Sequence, residues 1–113
     1  MISEKELDQI ASKYFSAWNK HDLKALKNLF SEEIQLTDWD ISCKGIDQTV
    51  EANRKIFANN PNISANVKSL TFAKNKIYAE LVIDANNELL KVLDILTIDL
   101  ETKLISKLQA FRQ

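Results

Sequence analysis

Three side chains of this chain could hold or move a proton from an apolar surrounding: Asp94, Asp38 and Tyr14. Asp94 lies in the most apolar run, Leu89 to Leu100, whose Leu, Ile, Val and Thr content reads as a long strand. Alternation sets Leu90, Val92, Asp94, Leu96, Ile98 and Leu100 on one face, and Leu89, Lys91, Leu93, Ile95, Thr97 and Asp99 on the other. Asp94 therefore shares its face only with aliphatic side chains. A bare carboxylate there costs roughly several kcal/mol, so Asp94 must be protonated, paired or facing a cavity. Asp38 repeats the pattern, following Ile34 and Leu36 on one face of a shorter strand.

Taken singly, each group has a plainer reading. Tyr14 is a core tyrosine bonded to a backbone carbonyl, and Asp38 ends a strand, in water or at the start of a turn. Taken together, an inward tyrosine and two acids on apolar strand faces converge only if there is a cavity to receive them.

The elements that must position these groups are legible from period and caps. Ser3-Glu4-Lys5-Glu6 has capping-box spacing and opens a helix with Leu7, Ile10, Ala11, Tyr14, Phe15, Ala17 and Trp18 on one stripe. Lys20-His21-Asp22 interrupts it, with His21 expected in solvent, and Asp22 caps a second helix carrying Leu23, Leu26, Leu29 and Phe30. The period then becomes two through Ile34, Leu36 and Asp38; Gly45 breaks the chain, and Asp47 caps a third helix that stops at Asn59-Asn60-Pro61. Strands follow at Ile63 to Phe72, Ile77 to Asp84, Leu89 to Leu100 and Leu104 to about Phe111, the last with both faces mixed and no assignable register. The order α-α-β-α-β-β-β-β predicts an α+β domain, residues 1–113, with the helices on one face of an antiparallel sheet. The opposite face carries Leu89, Leu93 and Ile95, and a two-fold homodimer through the sheet would cover them.

Composition narrows the classes. With 113 residues and 45% hydrophobic content, one core is expected. Fifteen basic residues against 16 acidic ones, net charge −1, leave no basic footprint for nucleic acid. No apolar run approaches the roughly 20 residues of a membrane span and no leader pattern opens the chain, so a soluble cytoplasmic protein is expected. The single cysteine, Cys43, allows no internal disulfide or thiolate zinc site and reads as a small apolar residue, and one histidine supplies no metal set.

The order of elements, together with Tyr14-Phe15-Ser16-Ala17-Trp18-Asn19-Lys20-His21-Asp22-Leu23, resembles the opening of the nuclear-transport-factor-2-like superfamily, which includes ketosteroid isomerases and SnoaL-like polyketide cyclases. Leu29-Phe30, Glu32-Glu33, the strand closing at Asp38 and the terminal Gln109-Ala110-Phe111 extend the resemblance over essentially the whole chain. It implies a cystatin-like cone: a curved antiparallel sheet wrapped round N-terminal helices, an apolar pocket inside, and commonly a dimer across the sheet. Against ketosteroid isomerase, Tyr14 falls at the oxyanion-hole tyrosine, Asp38 at the catalytic base and Asp94 at the protonated acid. In that mechanism one Asp moves a proton from a carbon beside a carbonyl while Tyr and a neutral Asp donate to the enolate oxygen.

There are departures. Trp39 follows Asp38 where the isomerases have proline, and the middle of the chain is shorter. Val92 stands where limonene-epoxide-hydrolase-like members carry an arginine, so the hydrolase set is incomplete, and His21 in a helix connection does not supply an inward His-Asp pair for a cyclase. The resemblance thus implies an isomerase or cyclase without metal or cofactor, acting on a small apolar carbonyl compound, with Trp18, Phe57, Val92 and Leu96 expected to line its pocket. The alternative is a non-catalytic module of the same fold, binding a small ligand or a partner, with Asp94 and Tyr14 bonded to each other.

Overall fold

The computed structural model describes all residues, 1–113. Three helices and six strands follow in the order α1 (Glu4–Asn19), α2 (Leu23–Leu29), β1 (Phe30–Thr37), β2 (Ser42–Lys44), α3 (Ile46–Asn59), β3 (Ser64–Ala73), β4 (Lys76–Ala85), β5 (Glu88–Ile98) and β6 (Ile105–Arg112). The short strand β2 was not expected, because three residues carry no readable period. Phe30 ends α2 and opens β1, and Leu100 falls beyond the end of β5, half exposed rather than on its inner face.

Local chemistry explains most boundaries. Ser3 and Glu6 form the complete capping box at the start of α1. Its end is a Schellman closure, in which the Asp22 N–H donates to Ala17 O (2.9 Å) and the His21 N–H to Trp18 O (3.0 Å), with His21 in the left-handed position glycine usually takes, φ 55°. The Asp22 carboxylate then accepts from the Ala25 N–H to cap α2. Asp47 does not cap α3: that position belongs to Gly45, at φ 88°, and Asp47 sits in the first turn, where its charge still suits the helix dipole.

The sheet runs β2-β1-β6-β5-β4-β3, curled and unclosed. Every pair is antiparallel except β1–β6, which is parallel. That departure from an all-antiparallel sheet follows from chain order, since β1 takes the outer side of the last strand and β2 and α3 intervene before the meander begins. The mixed faces of β6 also find their cause: the pairing shifts between Ile98↔Ile105 and Thr97↔Lys107, so Ile105 and, past the bulge, Leu108 and Ala110 all point inward.

The core lies between the inner sheet face and the helices. Leu7, Ala11, Leu26, Ile34, Ile77, Leu96, Ile98 and Ile105 are essentially inaccessible to solvent. At the β3 edge the side chain of Asn19 pairs with both backbone groups of Ala65, accepting from its N–H at 2.7 Å and donating to its carbonyl at 2.9 Å. His21 is not solvated as expected. Its ring stacks on Phe57 (4.2 Å, 6°) and Nε2 lies 2.8 Å from Ile63 O, an acceptor, so Nε2 carries the proton. Together these contacts cover the start of an edge strand. No helix is long and apolar enough to cross a membrane.

Candidate active site

Asp94 comes from the middle of β5 exactly where alternation turns it inward, between Val92 and Leu96. Its cross-strand neighbours are Ala79 on β4 and Ala110 on β6. Ala79 is fully covered, whereas Ala110 lines the cavity and its short side chain leaves room beside the carboxyl. Continuing the β1–β6 register one residue beyond Thr37↔Gln109 brings Asp38 level with Ala110. Asp38 and Asp94 therefore flank one alanine, with backbones roughly 10 Å apart, two strand spacings. Tyr14 projects from the buried stripe of α1.

These three groups line one cavity of about 370 Å³, mostly apolar, with Phe15, Trp18, Leu36, Leu81 and Leu90 among its walls. Trp39, Asp40 and Glu88, all exposed, stand at its solvent side. Asp94 is 7% exposed. Burial, with the nearby Asp38 charge as a second cause, raises its pKa to about 7. Burial likewise raises the Tyr14 hydroxyl well above the ordinary phenol, and the Asp94 charge adds to it. No hydrogen bond joins Tyr14 to Asp94: both shifts arise from burial and charge alone. The direct pairing considered for a non-catalytic module is thus not made.

Asp38 satisfies its plainer reading and lines the cavity as well. Its Oδ1 accepts from the Asp40 N–H (2.7 Å) and the Ile41 N–H (2.6 Å), an Asx turn that closes the β1–β2 hairpin. Those bonds leave Oδ2 free and hold the carboxyl in a set orientation. Cys43 on β2 is half-buried, its thiol pushed up by burial and by the Asp38 charge.

The expected lining needs correction. Trp18 is there, held by its indole N–H donating to Asn53 Oδ1 at 3.1 Å. Phe57, Val92 and Leu96 are not. Phe57 is packed between Trp18 and His21, edge-on to the first and stacked on the second. Val92 and Leu96 are fully covered, because the bulky Leu81 and the pair Ile77 and Leu108 flank them across the sheet. Their places are taken by Leu90, Ala110 and, from α3, Asn53 and Ile56. Asn53 escaped notice in the sequence; a polar residue one turn from Phe57 on the buried stripe of α3 was the available signal. It also donates to Thr49 O at 2.9 Å, so both ends of its amide are used within the fold. No three His, Cys, Asp or Glu side chains come together as a metal-holding group.

A curled mixed sheet wrapped over three helices, with a pocket opening between them, is the nuclear-transport-factor-2-like, cystatin-like architecture. The SnoaL-like domain model matches residues 11–103, and the chain belongs to that family. Among solved structures, it is similar to a SnoaL-like protein of unknown function from Burkholderia thailandensis (14% identity, TM-score 0.87, covering 100% of this chain and 99% of that one). It is also similar to a proposed ketosteroid isomerase from Kribbella flavida (15%, 0.86, 96% and 78%) and a proposed polyketide cyclase from Sinorhizobium meliloti (16%, 0.84, 93% and 97%). At such identities the likeness is one of fold. No curated protein matches the sequence.

Proposed function

We propose that this protein is a cofactor-independent isomerase or cyclase that moves a proton on the carbon beside a carbonyl of a small apolar compound. The observation that carries the reading is that Asp94, Asp38 and Tyr14 line one apolar cavity, with Asp94 pushed to a pKa of about 7. Near neutral pH a large share of Asp94 then keeps its proton and can donate it in a hydrogen bond. Asp38, its Oδ1 fixed by two backbone N–H groups, takes the proton from carbon through Oδ2. The enolate oxygen accepts from the Tyr14 hydroxyl and the neutral Asp94 carboxyl, neither of which has a competing partner in the chain. Where the substrate carries a double bond next to that carbon, Asp38 returns the proton to the far end of the conjugated enolate, giving an isomer; if the enolate carbon instead attacks a second carbonyl, a ring closes and the new alkoxide takes the proton from Asp38.

Hydrogen–deuterium exchange at the α-carbon of a simple aryl ketone in D2O, followed by NMR, tests the proton-moving step without knowledge of the natural product. Exchange accelerated by the protein and lost in Asp38→Asn supports the reading. Exchange no faster with the protein than with Asp38→Asn returns the chain to the ligand-binding alternative.

The outer sheet face favours a homodimer. Ile95 lies between Tyr78 and Gln109, Leu93 between Glu80 and Phe111, and Leu89 and Phe111 are exposed large apolar side chains. An antiparallel face this apolar is ordinarily covered. Sedimentation should give a dimer that Leu93→Glu dissociates; a monomer at high concentration would refute it.

A further inference from the structure

Every formally charged side chain lining the cavity is acidic: Asp94 deep within it, Asp38 at its wall, and Asp40 and Glu88 on the solvent side. Acids gathered on a surface would be unremarkable. Here, however, one of them is a carboxyl only 7% exposed, turned into the cavity with no hydrogen-bond partner, so the acids belong to a built pocket. Aromatic faces complete it: Tyr14, Phe15, Trp18 and Trp39. No lysine, arginine or histidine is among the lining residues. Arg112 pairs with Glu88 at 3.5 Å across β5 and β6, and Lys55 lies close enough to lower the Cys43 thiol slightly against its other neighbours.

We infer that the pocket selects against negatively charged compounds, with Asp40 a specificity-determining residue, so that its substrate enters uncharged or as a cation. A carboxylate, a phosphate or a coenzyme A thioester brought to this mouth meets like charge and then a wall of aliphatic groups that cannot solvate it. A neutral carbonyl meets neither obstacle, and a basic nitrogen at its outer end would find Asp40 and an aromatic face. The substrate's identity as a carbonyl compound rests on the proposed function; the charge selection does not. The reaction that supplies it would be one that releases the compound free of an acyl carrier or acid group, such as hydrolysis followed by decarboxylation.

Three probes of one shape separate charge from size: 2-acetylnaphthalene, 2-naphthylmethylammonium and 2-naphthoate, titrated against the wild-type protein at pH 7 by NMR. The ketone and the ammonium should bind, and naphthoate roughly tenfold or more weaker. Asp40→Asn should narrow that gap severalfold by strengthening naphthoate binding, and high salt should narrow it too. Asp40 is the cleaner choice because its side chain bonds to nothing in the fold, whereas Glu88→Gln would also free Arg112. Naphthoate binding within about threefold of the ketone overturns the inference, as does a gap that neither Asp40→Asn nor salt alters. Loss of ketone α-exchange with charge selection intact would instead remove the proposed reaction and leave this inference standing.

Discussion

On β4, β5 and β6, Ile77, Leu96 and Leu108 lie side by side on the inner face; two residues along the same strands, about 7 Å away, so do Ala79, Asp94 and Ala110. The first rank is packed core at Ile77 and Leu96, both wholly covered, and reaches the cavity wall only at Leu108. The second supports a cavity. Backbone, strand order and pleat are shared, so the difference lies in the side chains and in what stands over them. Ala110 withdraws the cover that a larger side chain would provide, and the space beside it receives a carboxyl from β5, another from the end of β1 and a hydroxyl from α1, with Leu108 of the first rank at the cavity wall. A pocket here is a failure to fill, held open by neighbours that cannot collapse into it.

Removing that difference should have the largest effect. Ala110→Leu would extend the packed rank into the pocket, and ketone α-exchange should drop to the rate of Asp38→Asn, a loss of about 10²–10⁴-fold, while denaturant unfolding shows stability kept or raised. Exchange that survives Ala110→Leu would mean that the cavity over Asp94 is not where proton transfer occurs. The reverse change, Leu96→Ala, should cost about 2–5 kcal/mol in urea unfolding, as for a buried leucine with no room to relax. A cost below about 1 kcal/mol would show that the cavity already reaches Leu96.

Titration sharpens the contrast, because only one rank can respond to pH. Asp94 has its pKa raised from 3.8 to about 7 in the folded chain. The native state therefore keeps a proton that the unfolded chain releases, and this contribution is fully present below about pH 4 and lost as pH rises through about 7. Between those limits stability should fall by up to about 4 kcal/mol, an order-of-magnitude figure from the size of the shift. Asp94→Asn should flatten that slope and unfold less readily than the parent at pH 8. A slope that persists in Asp94→Asn would assign it to another group.

The smallest effect concerns the wall opposite Ala110. Asn53→Ala would strand the Trp18 indole N–H, costing about 1–3 kcal/mol. Ketone affinity should weaken as Trp18 loses its fixed rotamer, whereas an unchanged affinity would show that packing on Phe57 alone suffices to place it.

Much of this architecture is legible in the sequence. Capping box, helix stripe and strand alternation placed Tyr14 inward on α1 and Asp94 inward on β5, because each depends only on local period and the cost of burying an unpaired charge. The same local rules found α3 but misread its cap, since the glycine's positive φ outranked a nearby aspartate. They could not see β2, the parallel β1–β6 pairing or the β6 bulge, which are set by partners distant in sequence. Of the four expected lining residues Trp18 lines the cavity, and the other three fall elsewhere for the same reason. Phe57, Val92 and Leu96 have the right chemistry for a pocket, yet their exposure is decided by what stands across the sheet or behind the helix. The sequence by itself determined which residues turn inward and that Asp94 needed a proton, a partner or a void. Only the tertiary structure decided that it has a void, because that depended on a short side chain, Ala110, being brought beside it from a strand the chain reaches only after its own.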